Sequence, residues 1–223
     1  MRPGTLLRWR VLKNIFKAEI HEKSIILDIG SFDGFIPYNI KELIPDLEII
    51  VADIDEEGLS KAQNYGLKTI NTVATKLPIN DNSIDIVICL DLIEHVTDDF
   101  KVINEIARVL KVGGKVILTT PMENGVSFPF LGYEKNALAN KNLGHVRQGY
   151  SLKMIEGLFA KSNLKVDRVS RYFNLFSRTG YCFSFMLGAD TRMKNFFFNS
   201  LINLEPYIKY GSQEHIIIGR KEA

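Results

Sequence analysis

Three short stretches hold side chains and spacings suited to chemistry. The first, Ile26-Leu27-Asp28-Ile29-Gly30-Ser31-Phe32-Asp33-Gly34, is a β-branched run that breaks into a glycine turn. Glycine at 30 lets the backbone turn sharply and approach a ligand, and the amides opening the next helix offer donors to negative charge. The spacing is G-x-x-x-G, not the G-x-G-x-x-G that cradles a dinucleotide pyrophosphate, and Asp33 inside the turn would repel a phosphate. An ordinary glycine-containing strand-to-helix turn fits the same residues. The second stretch, Val51-Ala52-Asp53-Ile54-Asp55, puts an acid about 20 residues past the glycine turn, where a carboxylate can accept both hydroxyls of a ribose. Asp53 is the better candidate than Asp55 because it comes as the strand ends, and a solvated loop acid is the plain alternative. The third, Asp91-Leu92-Ile93-Glu94-His95, spaces two acids and a histidine at i, i+3 and i+4, on one face if the segment is helical. A capping box, Asp91 with Glu94, explains the same spacing without chemistry. His145, in Gly144-His145-Val146-Arg147-Gln148-Gly149-Tyr150, stands alone before a helix start, where it either acts as a base or simply packs.

The elements that must position these groups are legible from periodicity. Leu6, Trp9, Leu12, Ile15 and Phe16 have helical spacing over residues 5–20. Strands are expected at Ser24–Ile29, Leu47–Ala52, Lys68–Val73, Ile84–Leu90, Lys115–Thr120, Leu164–Ser170 and His215–Arg220. Helices are expected at Phe35–Ile44, with Pro37 in its first turn and Pro45 ending it, at Glu56–Tyr65, after a Thr97 cap, and at Ser151–Ser162. Alternation of this kind predicts right-handed crossovers and a parallel sheet covered on both faces, a doubly wound α/β fold. Segments 121–150 and 171–212 fit the alternation poorly. Both follow the carboxyl end of a strand, so they are expected to cover a site there rather than form a second domain.

In this order the stretches resemble the class I S-adenosylmethionine-dependent methyltransferases, in particular the small-molecule branch around the ubiquinone-biosynthesis type. The resemblance runs from about Ile25 to Lys221 and is carried by LDIGSFDG, VADIDEEGL, KLPINDNSIDIVICLDLIEHVTD, RVLKVGGKVILTTP and, later, GHVRQGYSLKMIEGLFAKSNLKV and EHIIIGRK. It implies a seven-stranded, mostly parallel Rossmann-like sheet with a last antiparallel strand, one domain over 1–223 with a leading helix over 1–22, and S-adenosyl-L-methionine as cofactor. Asp28, Gly30, Ser31 and Gly34 would then hold the methionine part, Asp53 the ribose hydroxyls and Ile54 the adenine face. Leu90 and Asp91 would flank the sulfonium. Two departures stand out: Phe32 replaces the family's usual middle glycine, and Val73 replaces the acid beside the adenine, which shifts that contact to backbone near Thr75 and Lys76. Quinone-type members link a group similar to Asp91, Glu94 and His95 to a divalent cation; here no metal is expected, with that trio as the alternative. His145, then His95, are the candidate bases.

Composition excludes other classes. The 223 residues are 46% hydrophobic and 24% charged, which is ordinary for a globular chain. Net charge is +2, without the basic track or N-P-P-Y tetrapeptide of a nucleic-acid methyltransferase. No apolar run approaches the roughly 18 residues of a membrane span, and basic residues interrupt the apolar N-terminal positions, so a cytoplasmic location is expected. Cys89 and Cys182 match no metal or redox spacing. Residues 1–20 hold five basic side chains and one acid, leaving three readings of that helix: peripheral membrane contact, cover over the cofactor, or packing on the sheet. Eleven of the 23 aromatic residues fall between Tyr172 and Tyr210, which suits a lid core, a homodimer interface or an apolar acceptor pocket. The expected partner is a small-molecule or lipid-like acceptor. Two rivals remain: a nicotinamide-dependent oxidoreductase, which the missing G-x-G-x-x-G opposes, and a non-catalytic S-adenosylmethionine-binding regulator, which Phe32 and Val73 keep open.

Overall fold

The computed structural model describes residues 3–205, 207–208 and 210–223 apart from 187–198, and side chains are described from Gly4 to Phe183 and again from Asn199. Seven strands form one sheet: β1 (Ile25–Ile29), β2 (Glu48–Asp53), β3 (Lys68–Asn71), β4 (Ile84–Leu90), β5 (Leu110–Pro121), β6 (Leu164–Tyr172) and β7 (Glu214–Lys221). Their order is β3-β2-β1-β4-β5-β7-β6. Pairing is parallel from β3 to β5 and antiparallel where β7 inserts between β5 and β6. The chain therefore reverses direction of winding at β1, and the crevice beside β1 and β4 opens at their carboxyl ends.

Helices α1 (Pro3–Glu19), α2 (Phe35–Leu43), α3 (Glu56–Asn64), α4 (Asp99–Val109), α5 (Tyr133–Asn142), α6 (Leu152–Lys161) and α7 (Leu175–Met186) connect and flank the strands. Each sheet face has its own apolar layer. Leu12 and Phe16 of α1 join Ile40 of α2 over Ile26, Val51 and Ile88. On the other face, Val102, Ile103 and Ile106 of α4 and Phe159 of α6 pack on Leu27, Val87 and Leu118. Burial of two sheet faces explains why β1 and β4 read as continuous apolar runs rather than alternating ones. The buried face of α1 belongs to the core, and Gly4, Leu7 and Arg8 of the same helix line the crevice described below, so it does more than pack on the sheet.

Local chemistry moved several boundaries. The cap of α4 is Asp98, whose Oδ1 accepts from the Lys101 amide, not Thr97, whose carbonyl instead accepts from Arg147. β5 begins at Leu110 rather than Lys115: Ile84 pairs with Leu110 and Ile86 with Lys115, so Gly113-Gly114 form a bulge inside the strand. Asp91-Leu92-Ile93-Glu94-His95 is not a helix. Asp91 has φ 48° and only Ile93–His95 forms a single 3₁₀ turn, so the three side chains do not share a helical face. The capping box fails too, because no side chain caps that turn. Segment 121–150 contains α5, which periodicity did not reveal because its sequence, YEKNALANKN, lacks an apolar stripe. Asn136 and Asn140 of α5 are buried instead, and Asn136 holds Phe128, Leu131 and Gly132 through its side chain. Gly149 has φ +152°, and a Cβ there would lie 2.4 Å from the Pro121 carbonyl oxygen, so only glycine lets the segment close against the end of β5.

Gly219 in β7 is a second place where absence of a side chain decides packing: a Cβ would sit 2.4 Å from Cε2 of Phe159 and 3.1 Å from the Lys165 carbonyl oxygen. Phe159 is itself buried and has no room to retreat. Gly219→Ala is expected to cost about 1–3 kcal/mol by overpacking, read as a lower urea midpoint at unchanged slope.

Candidate active site

The glycine turn after β1 places three residues at positive φ, Gly30 (76°), Phe32 (58°) and Gly34 (70°). Glycine adopts this conformation without penalty, whereas a phenylalanine pays about 1 kcal/mol or more. Two contacts hold Phe32 there: its amide donates to Asp53 Oδ2 at 2.7 Å, and Lys61 Nζ lies 5.8 Å from its ring centroid. The other oxygen of Asp53 accepts from the Asp55 amide at 2.9 Å. Asp55 is the N-cap of α3, accepting from Glu57, so the two acids divide their work as their spacing suggested. A carboxylate has about four lone-pair sites, so Asp53 retains capacity for two hydroxyl donors. Ile54 beside it is 70% exposed, offering a bare apolar surface at the edge of the sheet. Thr75 and Lys76 lie past β3 in a turn closed by Lys76 N–H to the Val73 carbonyl, and Val73 is exposed.

A cavity of about 610 Å³ opens along the carboxyl edge from this turn towards the cover segments. Asp28, Gly30, Ser31, Leu90, Asp91, His95 and His145 all line it. Gly34, Asp53, Ile54, Thr75 and Lys76 do not; they continue the same edge outward, past β2 and β3. Three residues that the sequence did not single out also line it, Arg8 from α1, Phe128 from segment 121–150 and Glu214 at the start of β7, together with Tyr172 at the end of β6, the first residue of the aromatic segment. The two strand-end residues are one pair of the antiparallel ladder, Tyr172 opposite Glu214. Nothing in its local sequence marks Glu214, because the antiparallel insertion of β7 brings it to this edge. Of the aromatic segment, Phe196, Phe197 and Phe198 and the Phe185 side chain lie outside the described residues, whereas Phe173 and Tyr181 reach the cavity.

Charge in the cavity is unbalanced. Arg8 Nε donates to Asp91 Oδ2 at 2.6 Å, and the Thr119 hydroxyl donates to the other oxygen of Asp91. Asp28, Glu94 and Glu214 are buried with no basic side chain bonded to them among the described residues. Burial pushes the Asp28 carboxyl up to about 7, with neighbouring Asp53 adding to the effect and the Ser31 hydroxyl opposing it. Burial likewise raises Glu94 to about 8, reinforced by Asp91, while Thr120 donates to Glu94 Oε2 at 3.1 Å. Glu214 is pushed well above the carboxylate range for the same first reason, and one oxygen of each glutamate, Glu94 Oε1 and Glu214 Oε2, has no hydrogen-bond partner.

His95 and His145 meet edge to face, with ring centroids 4.6 Å apart. Burial and the neighbouring His95 lower His145 to about 4, so it is neutral near pH 7, and its Nδ1 is buried without a partner. The loop carrying it is pinned by Val146 N–H to the Glu94 carbonyl and by Arg147, which bonds Asp99 and the Tyr150 hydroxyl. Ligand-type atoms of Glu94, His95 and His145 lie within 4.8 Å of one another. This differs from the trio Asp91, Glu94 and His95 that stood as the alternative to no metal: Arg8 and Thr119 occupy Asp91, and His145 enters from segment 121–150 in its place.

Comparison with known proteins agrees with this geometry. A family profile described as a methyltransferase domain matches residues 27–118, which spans β1 to β5 and both acid-bearing strand ends. A ubiquinone biosynthesis O-methyltransferase of Vibrio cholerae is 29% identical over 119 residues, covering 49% of this chain and 48% of that protein. An uncharacterised protein of Methanocaldococcus jannaschii is 35% identical over 105 residues, covering 46% and 43%. The matches thus span about half the length of these curated relatives. Among solved structures, phosphoethanolamine N-methyltransferase 2 of Haemonchus contortus, in complex with S-adenosyl-L-methionine, superposes with a TM-score of 0.68 over 96% of this chain and 53% of that one, at 19% identity. Residues 27–118 thus match a methyltransferase domain from β1 to β5, including the glycine turn, Asp53 and Asp91, and the seven-stranded sheet shares the fold of a solved methyltransferase structure.

Proposed function

We propose that this chain transfers a methyl group from S-adenosylmethionine to a small or lipid-like acceptor bound in the cavity at the carboxyl edge. The observation that carries this reading is the unit formed by the glycine turn and Asp53, joined by the Phe32 amide, at the mouth of a cavity that runs on past Leu90 and Asp91 to a pair of histidines. The residues fit the cofactor. Asp28 offers a buried carboxyl, with no competing basic side chain bonded to it, to the ammonium of the methionine part, beside Gly30, Ser31 and Gly34. Asp53 keeps lone pairs for the ribose hydroxyls, Ile54 offers its exposed face to the adenine, Thr75 and Lys76 border that end, and Leu90 and Asp91 flank the sulfur.

When bound, S-adenosylmethionine supplies a methyl group on a positively charged sulfur that departs as a neutral thioether, so the protein's task is alignment and exclusion of water. Residues of α1, segment 121–150 and segment 171–212 form the walls that do this. His145, neutral and with Nδ1 unpartnered, takes the proton that the acceptor atom must shed, and His95 packs against it as the second acceptor. Its lowered basicity makes it a modest base, adequate for an acceptor atom that is activated by position rather than by full deprotonation. Among the described residues no helix is long and apolar enough to cross a membrane, so a lipid-like acceptor would be met at a surface rather than within a span.

Asp53→Ala removes charge-assisted contacts to the ribose, and S-adenosylhomocysteine affinity measured by calorimetry is expected to fall about ten- to a hundredfold. Unchanged affinity would remove the ribose assignment. The Asp28 carboxyl, raised from 3.8 to about 7, gives a second test. Its neutral form is favoured in the ligand-free protein, so this group's contribution to stability is greatest below its ordinary value and declines as pH rises towards 7. Binding the cofactor's ammonium requires the ionised form. Affinity should therefore climb with pH through 7, with roughly half a proton released per cofactor at pH 7, measured by calorimetry in buffers of differing ionisation enthalpy. Asp28→Asn should abolish the release; release that persists in this variant would show that another group carries the linkage.

A further inference from the structure

The far end of the cavity has a chemical character that the methyltransferase reading does not by itself require. Glu214 stands at the first residue of β7, and β4 and β5 lie between β7 and β1. Three strand spacings, about 14 Å, thus separate it from the Asp28 turn, so the two carboxyls serve different parts of whatever fills the cavity. Glu214 is 7% exposed and its Oε2 has no hydrogen-bond partner. Four carboxyl side chains line the cavity, Asp28, Asp91, Glu94 and Glu214, against one guanidinium, Arg8, which Asp91 already holds. An unpartnered buried carboxyl is costly and persists where a ligand completes it.

The wall beside Glu214 is aromatic. Phe173 and Tyr181 meet edge to face with centroids 5.5 Å apart, Phe128 lies 6.1 Å from Tyr181, and Tyr172 is paired with Glu214 across the ladder. Aromatic faces attract cations, and a carboxyl with an open oxygen accepts from an N–H donor. The same surroundings disfavour a carboxylate or phosphate, because the one guanidinium among the described lining residues is already held by Asp91 and burial keeps His145 neutral. A neutral alcohol would satisfy the open oxygen but, unlike an ammonium, would not draw the buried carboxyls into their ionised form.

We infer that the acceptor is a small amine, entering as the ammonium, with the nitrogen directed to Glu214 and Glu94, one of which takes its proton so that the freed lone pair can accept the methyl group as the sulfur leaves as a neutral thioether, and with an apolar body against Phe128, Phe173 and Tyr181. This rests on the methyltransferase reading, since it assigns that cavity's far end to the acceptor.

Three probes with one carbon skeleton separate the alternatives: 2-phenylethylamine, 2-phenylethanol and phenylacetate. Each is titrated by calorimetry into the full chain, with and without saturating S-adenosylhomocysteine. The amine is expected to bind at least about tenfold tighter than the other two, the increment of one charge-assisted contact. Glu214→Gln, which keeps shape, should bring amine affinity down to that of the alcohol while leaving S-adenosylhomocysteine affinity intact, which also reports that the variant is folded. Tyr181→Leu provides a second variant and should weaken the amine more than the alcohol. Equal affinities, tighter binding of phenylacetate, no measurable amine binding, or a Glu214→Gln protein that still prefers the amine would overturn the assignment. S-adenosylhomocysteine binding without an amine preference strikes the acceptor class alone, whereas absence of S-adenosylhomocysteine binding in the unaltered protein strikes the methyltransferase reading itself.

Discussion

Parallel pairing of β1 with β2 and β4 delivers three acids, Asp28, Asp53 and Asp91, to one edge of one sheet, and most other features of the site answer that concentration of carboxyls. Each acid is accommodated differently. Asp53 is satisfied by backbone amides of Phe32 and Asp55. Asp91 is met by a guanidinium brought in by α1 and by a hydroxyl from β5. Asp28 has neither and instead shifts its ionisation upward. These three solutions set which carboxyl shapes the backbone, which anchors the roof and which is left for a ligand.

The anchoring of α1 shows how a long-range ion pair organises the cover. Leu12 and Phe16 fix the helix on the sheet by burial, which is insensitive to orientation at the level of a single side chain. The Arg8–Asp91 contact adds direction, aiming the first turns of the helix over the end of β4. At 28% and 15% side-chain exposure the pair is partly shielded from water, so it holds position better than a surface pair without the full desolvation cost of a buried one. On the opposite side, Gly149 and the Met122–Tyr150 bridge fold segment 121–150 back against β5 and carry His145 to His95. The cavity is thus closed by two devices that come from distant parts of the chain.

Much of the architecture was legible in the sequence because it depends on local periodicity. Buried parallel strands read as apolar runs, and the glycine turn and the acids at two strand ends are marked by residues adjacent in sequence. Phe32 at positive φ was also legible as a departure, although the contacts that hold it, Asp53 and Lys61, are not. The segment 91–95 misled because its i, i+3, i+4 spacing has helical form, whereas Arg8 and Thr119 hold Asp91 in a conformation that precludes the helix. α5 stayed hidden because its buried residues are asparagines that bond loop backbone, which leaves no apolar stripe to detect.

The sequence by itself determined the doubly wound sheet, the glycine turn after β1 and the acids at the ends of β1, β2 and β4, because each of these is written in residues adjacent along the chain. Only the tertiary structure decided the far end of the cavity. Arg8, Phe128, Tyr172, Tyr181 and Glu214 are separated by up to about two hundred positions; insertion of β7 between β5 and β6 sets Tyr172 beside Glu214, and α1, segment 121–150 and α7 bring in the other three. The imbalance of charge in the cavity has the same origin. Net charge counts every side chain equally, but a carboxyl acquires its chemical character from burial and from which cations reach it, and both are properties of the packed chain.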